Sequence, residues 1–247
     1  MSKFINKLTL LISALLFTQI ATPISMGNAL DDVYKIYSQE ERQLILELHE
    51  IGVLRFDTDK INCPLASPYY IDLRHIMSYP QIFKKVIYML QAKTSNLNYD
   101  LICGVPYAAL AMASNVAFCT NTPLIMRRSH IKNYGTGRKI EGHFQAKQHC
   151  LVFEDVVTTA SSLIETVKDL EAAQLQVSDC IVLFDREQGG VEWMRNQGYH
   201  VHTLFTITDF MNILSEEGKI DPKLATEILS WTQQNQVAGV NWKATAC

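Results

Sequence analysis

Two carboxylates and a hydroxyl-rich turn stand next to each other in the middle of the chain. Glu154 and Asp155 follow the apolar run 151–153, and the small or hydroxylated residues 158–162 precede a helical pattern that begins at Leu163. A strand that opens into such a turn leaves several backbone N–H groups at a helix start pointing at one spot, which suits an anion. Carboxylates accept hydrogen bonds from sugar hydroxyls. Phosphate on the turn and ribose on the acids together indicate a phosphoribosyl group.

Four further blocks carry charged, hydroxyl or aromatic residues beside glycine or proline. They are SPYYIDLR at 67–74, ICGVPY at 102–107, RR at 127–128 followed by KNYGT at 132–136, and DREQGG at 185–190. With the segment 150–162, they resemble in order and spacing the type I phosphoribosyltransferases, which use phosphoribosyl pyrophosphate (PRPP). Within that class, the four further blocks resemble the orotate phosphoribosyltransferases, in the form found as the first domain of UMP synthase. It covers residues from about 40 to about 235.

The elements that must position these blocks alternate between strand and helix after Asp100. Strands are predicted at 101–104, 123–126, 151–154, 180–185 and 201–205, and helices through 110–112, over 161–173 and near 190–197. Such alternation indicates a parallel sheet with right-handed crossovers, in which ligands bind at the carboxyl ends of the strands. We expect an α/β fold of the type I phosphoribosyltransferase class, with a central parallel sheet flanked by helices and a small hood.

The predicted hood combines the segment 31–75 with a last helix at about 221–233. Within it, Ser38 and Glu41 form a capping-box pattern ahead of a helical apolar face that stops at Gly52, and a short strand is predicted at 69–73. Pro80 suits the first turn of a helix that runs to about Lys93.

The first 29 residues have a different pattern. Lys3 and Lys7 precede the uncharged run 8–20, and small residues lead to Ala29, as in a secretory signal peptide. The run is too short for a stable membrane span. The alternative is a mis-assigned start, with translation beginning at Met26. We therefore expect a signal peptide or a non-native extension over 1–29 and an orotate phosphoribosyltransferase-like domain over 30–247. Localisation stays open, because the signal pattern indicates export whereas PRPP chemistry indicates the cytoplasm.

Composition and charge are those of an ordinary globular protein. The chain has 48% hydrophobic residues, 19% charged residues and a net charge of −3, which gives no reason to expect nucleic acid as a partner. Anionic substrates then require a local basic cluster, for which the sequence offers Arg127, Arg128, Lys132, Arg138 and Lys139.

Cysteine and histidine residues show no metal or disulfide pattern. The six cysteines have neither a disulfide framework nor a Cys-x-x-Cys spacing, and Cys103, Cys150 and Cys180 lie in apolar stretches where we expect buried free thiols. His200 and His202 share one face of a predicted strand without an evident third ligand, so we interpret them as strand residues.

The resemblance implies a role for each block. PRPP would be bound by Tyr107, Arg128, Lys132, Tyr134, Glu154, Asp155, Val156, Val157, Thr158, Thr159, Ala160, Ser161 and Ser162. Orotate would be bound by Tyr70, Ile71, Thr158 and Arg186, and the catalytic residues would be Lys132 and Asp155. The polar loop 128–142 would be a lid that closes over the active site of the neighbouring subunit in a homodimer. Mg²⁺ would be held mainly by PRPP oxygens and water rather than by a protein metal site.

Several of these residues also have an interpretation that involves no substrate. Glu154 and Asp155 could cap the following turn, Tyr107 could pack on the hood, Arg186 could be solvated at a strand end, and 128–142 could be a solvated basic loop.

Three departures from the family pattern bear on activity. Ala160 stands where the family has glycine and is tolerated only if its φ stays negative, whereas Asn62 and Ser129 stand where the family places basic residues. Losing two charge-assisted hydrogen bonds could lower affinity or rate by about 10²–10⁴.

The five blocks and their resemblance nevertheless favour transfer of the phosphoribosyl group from PRPP to orotate in UMP biosynthesis. The alternative is a catalytically weakened regulator that binds PRPP or a nucleotide.

Overall fold

Eight strands and seven α-helices form the described part of the chain. The computed structural model describes residues 37–56, 67–129 and 139–237. The strands are β1 (Leu54–Arg55), β2 (Tyr70–Ile71), β3 (Leu101–Gly104), β4 (Leu124–Arg127), β5 (Ile140–Glu141), β6 (Cys150–Val157), β7 (Asp179–Asp185) and β8 (His200–Thr206). The helices are α1 (Gln39–Glu50), α2 (Pro80–Thr94), α3 (Ala108–Thr120), α4 (Ser161–Ala172), α5 (Gly190–Asn196), α6 (Ile207–Glu216) and α7 (Pro222–Gln234), and Leu73–Ser78 is a 3₁₀-helix.

The main sheet has the order β5-β4-β3-β6-β7-β8. Every neighbouring pair is parallel except β4 with β5, which is antiparallel at the edge. The prediction of a central parallel sheet flanked by helices is therefore confirmed, with the addition of this edge strand. β5 has only two residues inside a polar segment, too few to show a period-2 pattern.

Strand β6 is longer than its sequence pattern indicates. The apolar run predicted a strand end at Glu154, but the strand continues to Val157. Its register sets Glu154 beside Val182 and Val157 beside Asp185 of β7. Sheet pairing and burial thus extend past the two acids, and Glu154 lies inside the sheet instead of at its rim.

Helix α6 is absent from the sequence prediction. It starts directly after β8, where Thr206 caps the N–H group of Asp209 at 3.1 Å and Asp209 accepts from the N–H group of Thr206 at 2.9 Å. Phe210 stacks edge-on against Phe184 of β7 and Phe205 of β8, with centroid distances of 5.1 and 5.9 Å. Apolar character continues from the strand into the helix, so periodicity alone does not mark the boundary. The spacing of Thr206 and Asp209 is the signal that could have marked it.

The predicted helix and strand of the hood are confirmed near residues 38–71. Ser38 and Glu41 form the capping box that starts α1, and Leu44, Ile45 and Leu48 are fully buried. β1 and β2 pair antiparallel, so the predicted strand at 69–73 is shorter than expected and is followed by the 3₁₀-helix.

Contacts with the C-terminal helices hold this region in place. The ring of Tyr69 meets Trp231 of α7 edge-on at a centroid distance of 6.1 Å. Arg42 of α1 pairs with Glu216 and Glu217 at 2.8 and 3.1 Å.

Three of the free cysteines are buried, as predicted. Cys103, Cys150 and Cys180 lie in neighbouring strands of the sheet, and burial raises the pKa of Cys103 to about 12. These thiols stay protonated and fill space as small apolar groups. Cys119 is free and exposed, and Cys63 and Cys247 lie outside the described residues.

The predicted N-terminal segment 1–29 also lies outside the described residues. In the part of the chain that the structure describes, no helix is both long enough and apolar enough to cross a bilayer.

The predicted basic cluster does not come together as an anion site in the described residues. Arg127 is buried and pairs with Asp169 at 2.5 Å and with Glu165 at 3.2 Å, both on α4. Lys139 also binds Asp169, at 2.7 Å. These two cations therefore attach β4 and the segment before β5 to α4, because the acids of α4 bind them. Lys132 and Arg138 lie outside the described residues.

Candidate active site

The hydroxyl-rich turn connects β6 to α4 at the carboxyl edge of the sheet. Thr158 accepts a hydrogen bond from the N–H group of Gly190 at 3.1 Å, and Ser161 begins the helix. The hydroxyl groups of Thr159 and Ser161 lie 2.5 Å apart. The first N–H groups of α4 are therefore presented beside several hydroxyl groups, as the sequence predicts, and this arrangement can hold a phosphate.

Glu154 is buried beneath this turn. One carboxyl oxygen accepts from the N–H group of Asp155 at 3.1 Å, and the other accepts from the hydroxyl group of Ser162 at 2.6 Å. Burial, followed by the neighbouring charge of Asp155, raises the pKa of Glu154 well above its usual range. Glu154 thus ties the strand to the start of α4, while half-buried Asp155 presents its carboxylate nearer the surface.

Ala160 has a left-handed backbone conformation. Its φ is +63° and its ψ is 18°, so the condition under which alanine would be tolerated here, a negative φ, is not met. The turn must reverse sharply between the end of β6 and the first residue of α4, and this reversal imposes the positive φ. For a residue other than glycine the left-handed region costs about 1 kcal/mol.

A second loop packs directly against this turn. A Cβ atom at Gly190 would lie 2.4 Å from the carbonyl oxygen of Thr158 and 2.8 Å from the backbone nitrogen of Ala160. Only glycine fits there without moving the backbone of the turn. Gly190 ends the block 185–190, so the two predicted blocks form one structural unit.

Replacing Ala160 by glycine should stabilise the protein. Glycine adopts a positive φ without the steric cost of a Cβ atom, and we expect Ala160→Gly to raise the free energy of unfolding by up to about 1 kcal/mol. The matched control is Ala173→Gly at the other end of α4, where φ is −82°. That change should lower the free energy of unfolding by about 0.5–1 kcal/mol. Urea unfolding measures both, and equal losses in the two variants would contradict a left-handed Ala160.

Arg186 connects the carboxyl end of β7 to the hood. Its Nη2 donates to the hydroxyl group of Ser67 at 2.9 Å, its Nε donates to the hydroxyl group of Tyr69 at 3.3 Å, and Cζ lies 4.7 Å from the centre of the Tyr69 ring. Burial raises the pKa of Tyr69, and the charge of Arg186 opposes that rise. Arg186 is thus held by packing and hydrogen bonds instead of being solvated.

Ser67 and Tyr69 are site residues that the sequence analysis did not assign. Both belong to the block 67–74, in which Tyr70 and Ile71 were the predicted orotate residues. Tyr70 is half-buried and Ile71 is buried beside them. Ser67 contacts Arg186 although the two residues are far apart in sequence. No local sequence pattern shows a contact of this kind.

Tyr107 lies between the end of β3 and the first residue of α3. A Cβ atom at Gly104 would lie 2.5 Å from Cα of Leu110, so only glycine lets the end of β3 lie this close to the first turn of α3. The Pro106–Tyr107 peptide bond is cis. Tyr107 is 76% exposed and its hydroxyl group lies 2.8 Å from that of Ser129. The ring therefore does not pack on the hood.

Arg128 is the one predicted basic PRPP residue that the structure describes. Its Nε binds Glu141 of β5 at 2.7 Å, and its side chain remains 39% exposed. The predicted residues Lys132 and Tyr134 and the departure Asn62 lie outside the described residues.

Asp185 is a buried carboxyl group that the sequence analysis did not single out. It accepts from the N–H group of Glu187 at 2.8 Å, where the backbone φ of Glu187 is +54°. Burial raises the pKa of Asp185 to about 6. The carboxyl group thus fixes the turn that presents Arg186, although its ionised form is disfavoured in the folded protein.

The raised pKa of Asp185 predicts a pH dependence of stability. An ionised carboxylate here opposes folding at pH values above about 6, and this penalty disappears as the pH falls towards the unfolded-state value near 4. Asp185→Asn keeps an oxygen that can accept from Glu187 and removes the charge. We expect the variant to be more stable than the wild type by up to about 3 kcal/mol at pH 8, with the difference shrinking at pH 4. Urea unfolding across this range measures it, and a difference that does not change with pH would contradict the burial argument.

His200 and His202 are strand residues, as predicted. Asp179 lies 2.7 Å from His202 and 3.6 Å from His200, and all three are at the start of β7 or β8, opposite the carboxyl edge that carries the turn. Across residues 37–56, 67–129 and 139–237, no group of three or more His, Cys, Asp and Glu side chains is arranged to hold a metal ion.

Comparisons with known proteins agree with this geometry. No protein-family model matches the chain. Uridine 5'-monophosphate synthase of Bos taurus is 36% identical over 200 residues, which cover 80% of this chain and 42% of that protein. Orotate phosphoribosyltransferase of Chlamydia caviae is 31% identical over 183 residues, which cover 72% of this chain and 89% of that protein. The chain belongs to the orotate phosphoribosyltransferase family.

A solved structure of Leishmania donovani UMP synthase shares the fold of the family. Its TM-score to this chain is 0.71, with 26% sequence identity, and the match covers 78% of this chain and 42% of that one. The predicted α/β fold class is confirmed. The chain spans less than half the length of the longer UMP synthase relatives that it matches.

Proposed function

We propose that this chain transfers the phosphoribosyl group of PRPP to N1 of orotate, which gives orotidine 5-monophosphate and pyrophosphate in UMP biosynthesis. The main support for the proposal is the close contact between the turn 158–160 and Gly190, which form one unit. It joins a strand–turn–helix anion site to the loop of Arg186 in a chain of this family. The alternative of a regulator that only binds PRPP or a nucleotide is not favoured, because the relatives are named as enzymes.

The reaction breaks the bond between C1 of the ribose and the pyrophosphate oxygen and forms a bond from N1 of orotate on the opposite side. The proton of N1 is released together with the pyrophosphate. Positive charge develops on the ribose as the pyrophosphate leaves. In our proposal the backbone N–H groups of 158–162 hold the 5-phosphate, and the carboxylate of Asp155 binds the ribose hydroxyls next to that developing charge. The contribution of the protein is then positioning and charge stabilisation.

In our proposal Arg186 contacts the base. Its Nε and Nη2 are engaged by Tyr69 and Ser67, and none of the described residues accepts a hydrogen bond from its Nη1. A guanidinium group fixed in this way retains an edge that can bind the polar edge of orotate. Thr158 follows β6 at the same edge of the sheet. In our proposal it also lies close to the orotate ring.

Mg²⁺ fits the donor groups of this site. The ion prefers oxygen ligands, keeps several waters and commonly binds one or two carboxylates together with substrate phosphates. PRPP oxygens and water would supply most of the ligands, and the half-buried carboxylate of Asp155 could supply one more. Bound Mg²⁺ would neutralise charge on the pyrophosphate group.

Turnover tests the proposal directly. We expect the protein to consume orotate in the presence of PRPP and Mg²⁺, and Asp155→Asn to lower kcat/KM by about 10² or more, because a charge next to the reacting ribose is removed. Loss of orotate absorbance measures the rate. Asp179→Asn is the control, since Asp179 lies at the opposite end of the strands and should leave the rate within about twofold. Turnover on uracil or hypoxanthine but not on orotate would contradict the assignment.

We propose further that the enzyme is a homodimer whose active sites combine residues of both subunits. The resemblance supports this arrangement through Lys132, which lies outside the described residues and would bind the leaving pyrophosphate across the interface.

Mixed dimers test the shared site. Lys132→Ala and Asp155→Asn should each be nearly inactive, and a mixture should recover up to about a quarter of wild-type activity, because one site in each mixed dimer has both intact residues. Activity after subunit exchange measures the recovery, and exchange itself is followed with differently tagged subunits. No recovery despite proven exchange would contradict shared sites.

A further inference from the structure

The segment that follows α7 lies against the loop that follows β7. The backbone N–H group of Val237 donates to the carbonyl oxygen of Gln188 at 2.9 Å, and Nε2 of Gln236 donates to the carbonyl oxygen of Glu187 at 2.9 Å. Val237 is itself buried. We call residues 235–237 the strap, because they attach this loop to the end of α7.

Gln188 makes the reverse contact with the strap. It is 1% exposed, and its Nε2 donates to the carbonyl oxygen of Asn235 at 2.9 Å. In the described part of the chain no group donates to its Oε1, so the amide makes the strap contact alone. The loop and the strap therefore exchange hydrogen bonds in both directions. A residue this deeply buried does not reach a substrate, so Gln188 can act only through the residues that it holds.

Glu187 has a backbone conformation that its surroundings must maintain. Its φ is +54°, in the left-handed region that residues other than glycine disfavour and keep only where the surrounding structure fixes them. Its N–H group donates to Asp185 at 2.8 Å, and its carboxylate accepts from the N–H group of Thr208 at 2.9 Å. The strap adds the bond at its carbonyl oxygen. Arg186 directly precedes Glu187, so the direction of the Arg186 side chain depends on this conformation.

α7 and the strap approach Arg186 from two sides. The N–H group of Arg186 donates to the carbonyl oxygen of Val157 at 3.0 Å, which fixes the chain before the loop, and the strap fixes the chain after it. Trp231 of α7 packs edge-on against Tyr69, whose hydroxyl group accepts from Nε of Arg186. The end of α7 thus supports both the backbone and the side chain of this arginine.

We propose that Gln188 and the strap position Arg186 to bind orotate. Gln188 is then a positioning residue that acts through the loop, and the affinity for the base depends on residues that follow the last helix. The inference rests on the proposed function, in which Arg186 contacts the base.

Two substitutions release the strap in different ways. Gln188→Met removes a buried donor and keeps a long unbranched side chain, whereas Gln236→Ala removes a donor at an exposed position. We expect each to raise the KM for orotate by roughly three- to tenfold, since one hydrogen bond that holds the loop is lost. The KM for PRPP should change much less, because Gly190 still packs against the turn 158–160. Steady-state rates at varied orotate and PRPP concentrations measure both constants.

A matched control separates the strap from its helix. Nε2 of exposed Gln234 donates to the hydroxyl group of Ser230 within α7 at 3.0 Å, so Gln234→Ala should leave both KM values within about twofold. Thermal unfolding establishes that each variant is folded, and Gln236→Ala decides alone if Gln188→Met does not fold. Unchanged KM values in the folded strap variants, or equal rises of both KM values, would overturn the inference and leave the proposed function standing. A wild type that does not consume orotate would overturn the proposed function itself.

Hydrogen exchange provides a readout that a general loss of stability would not change. If the strap raises the affinity for the base, a bound nucleotide must stabilise the strap by the same factor. We expect orotidine 5-monophosphate to slow exchange of the backbone N–H group of Val237 by roughly three- to tenfold in the wild type, and by less in Gln236→Ala. Unchanged exchange at Val237 in the wild type with the nucleotide bound would overturn the inference.

Discussion

The close approach of Gly190 to the turn 158–160 is the constraint on which the site depends. β6 and β7 end side by side because Val157 is in register with Asp185, and the loops that follow them meet at once. The backbone can approach only because position 190 has no Cβ atom. The hydrogen bond from Gly190 to Thr158 then fixes the turn, and the bond from Arg186 to Val157 fixes the start of the loop that we propose to bind the base. The proposed anion site and the proposed base site are therefore positioned together by this close approach.

Several groups around this contact are retained in spite of their cost to stability. Glu154 and Asp185 are buried carboxyl groups whose ionised forms are disfavoured, and Ala160 has a backbone conformation that suits glycine. Strain and buried charge of this kind are concentrated at functional sites, where the surrounding structure determines the conformation. Here the parallel sheet supplies that surrounding structure, because its strands and helices are packed around apolar side chains that are almost fully buried.

Most of the fold could be predicted because it depends on local patterns. Apolar runs marked the strands of the sheet, and Ser38 with Glu41 marked the start of α1. The sequence also placed the residues of the turn at the carboxyl edge, since the alternation of strands and helices requires it. The end of β6 was missed because two acids interrupt the apolar run while the pairing with β7 continues to Val157. Helix α6 was missed because apolar character continues into it from β8.

The parts of the site that escaped prediction are contacts between distant segments. Arg127 has the residue type of an anion ligand, yet the acids of α4 bind it. Ser67 and Tyr69 hold Arg186 across more than a hundred residues of chain. Their partners become evident only when the hood is folded over the sheet. Residue type alone does not decide whether a charged side chain binds a substrate or another side chain.

A crystal structure of the protein with orotidine 5-monophosphate would show whether the turn 158–162 binds the phosphate. We expect the 5-phosphate at the start of α4, within about 2.7–3.2 Å of backbone nitrogen atoms of 158–162, with the ribose hydroxyls beside Asp155. A nucleotide whose phosphate binds away from this turn, with Gly190 and Thr158 still in contact, would contradict it.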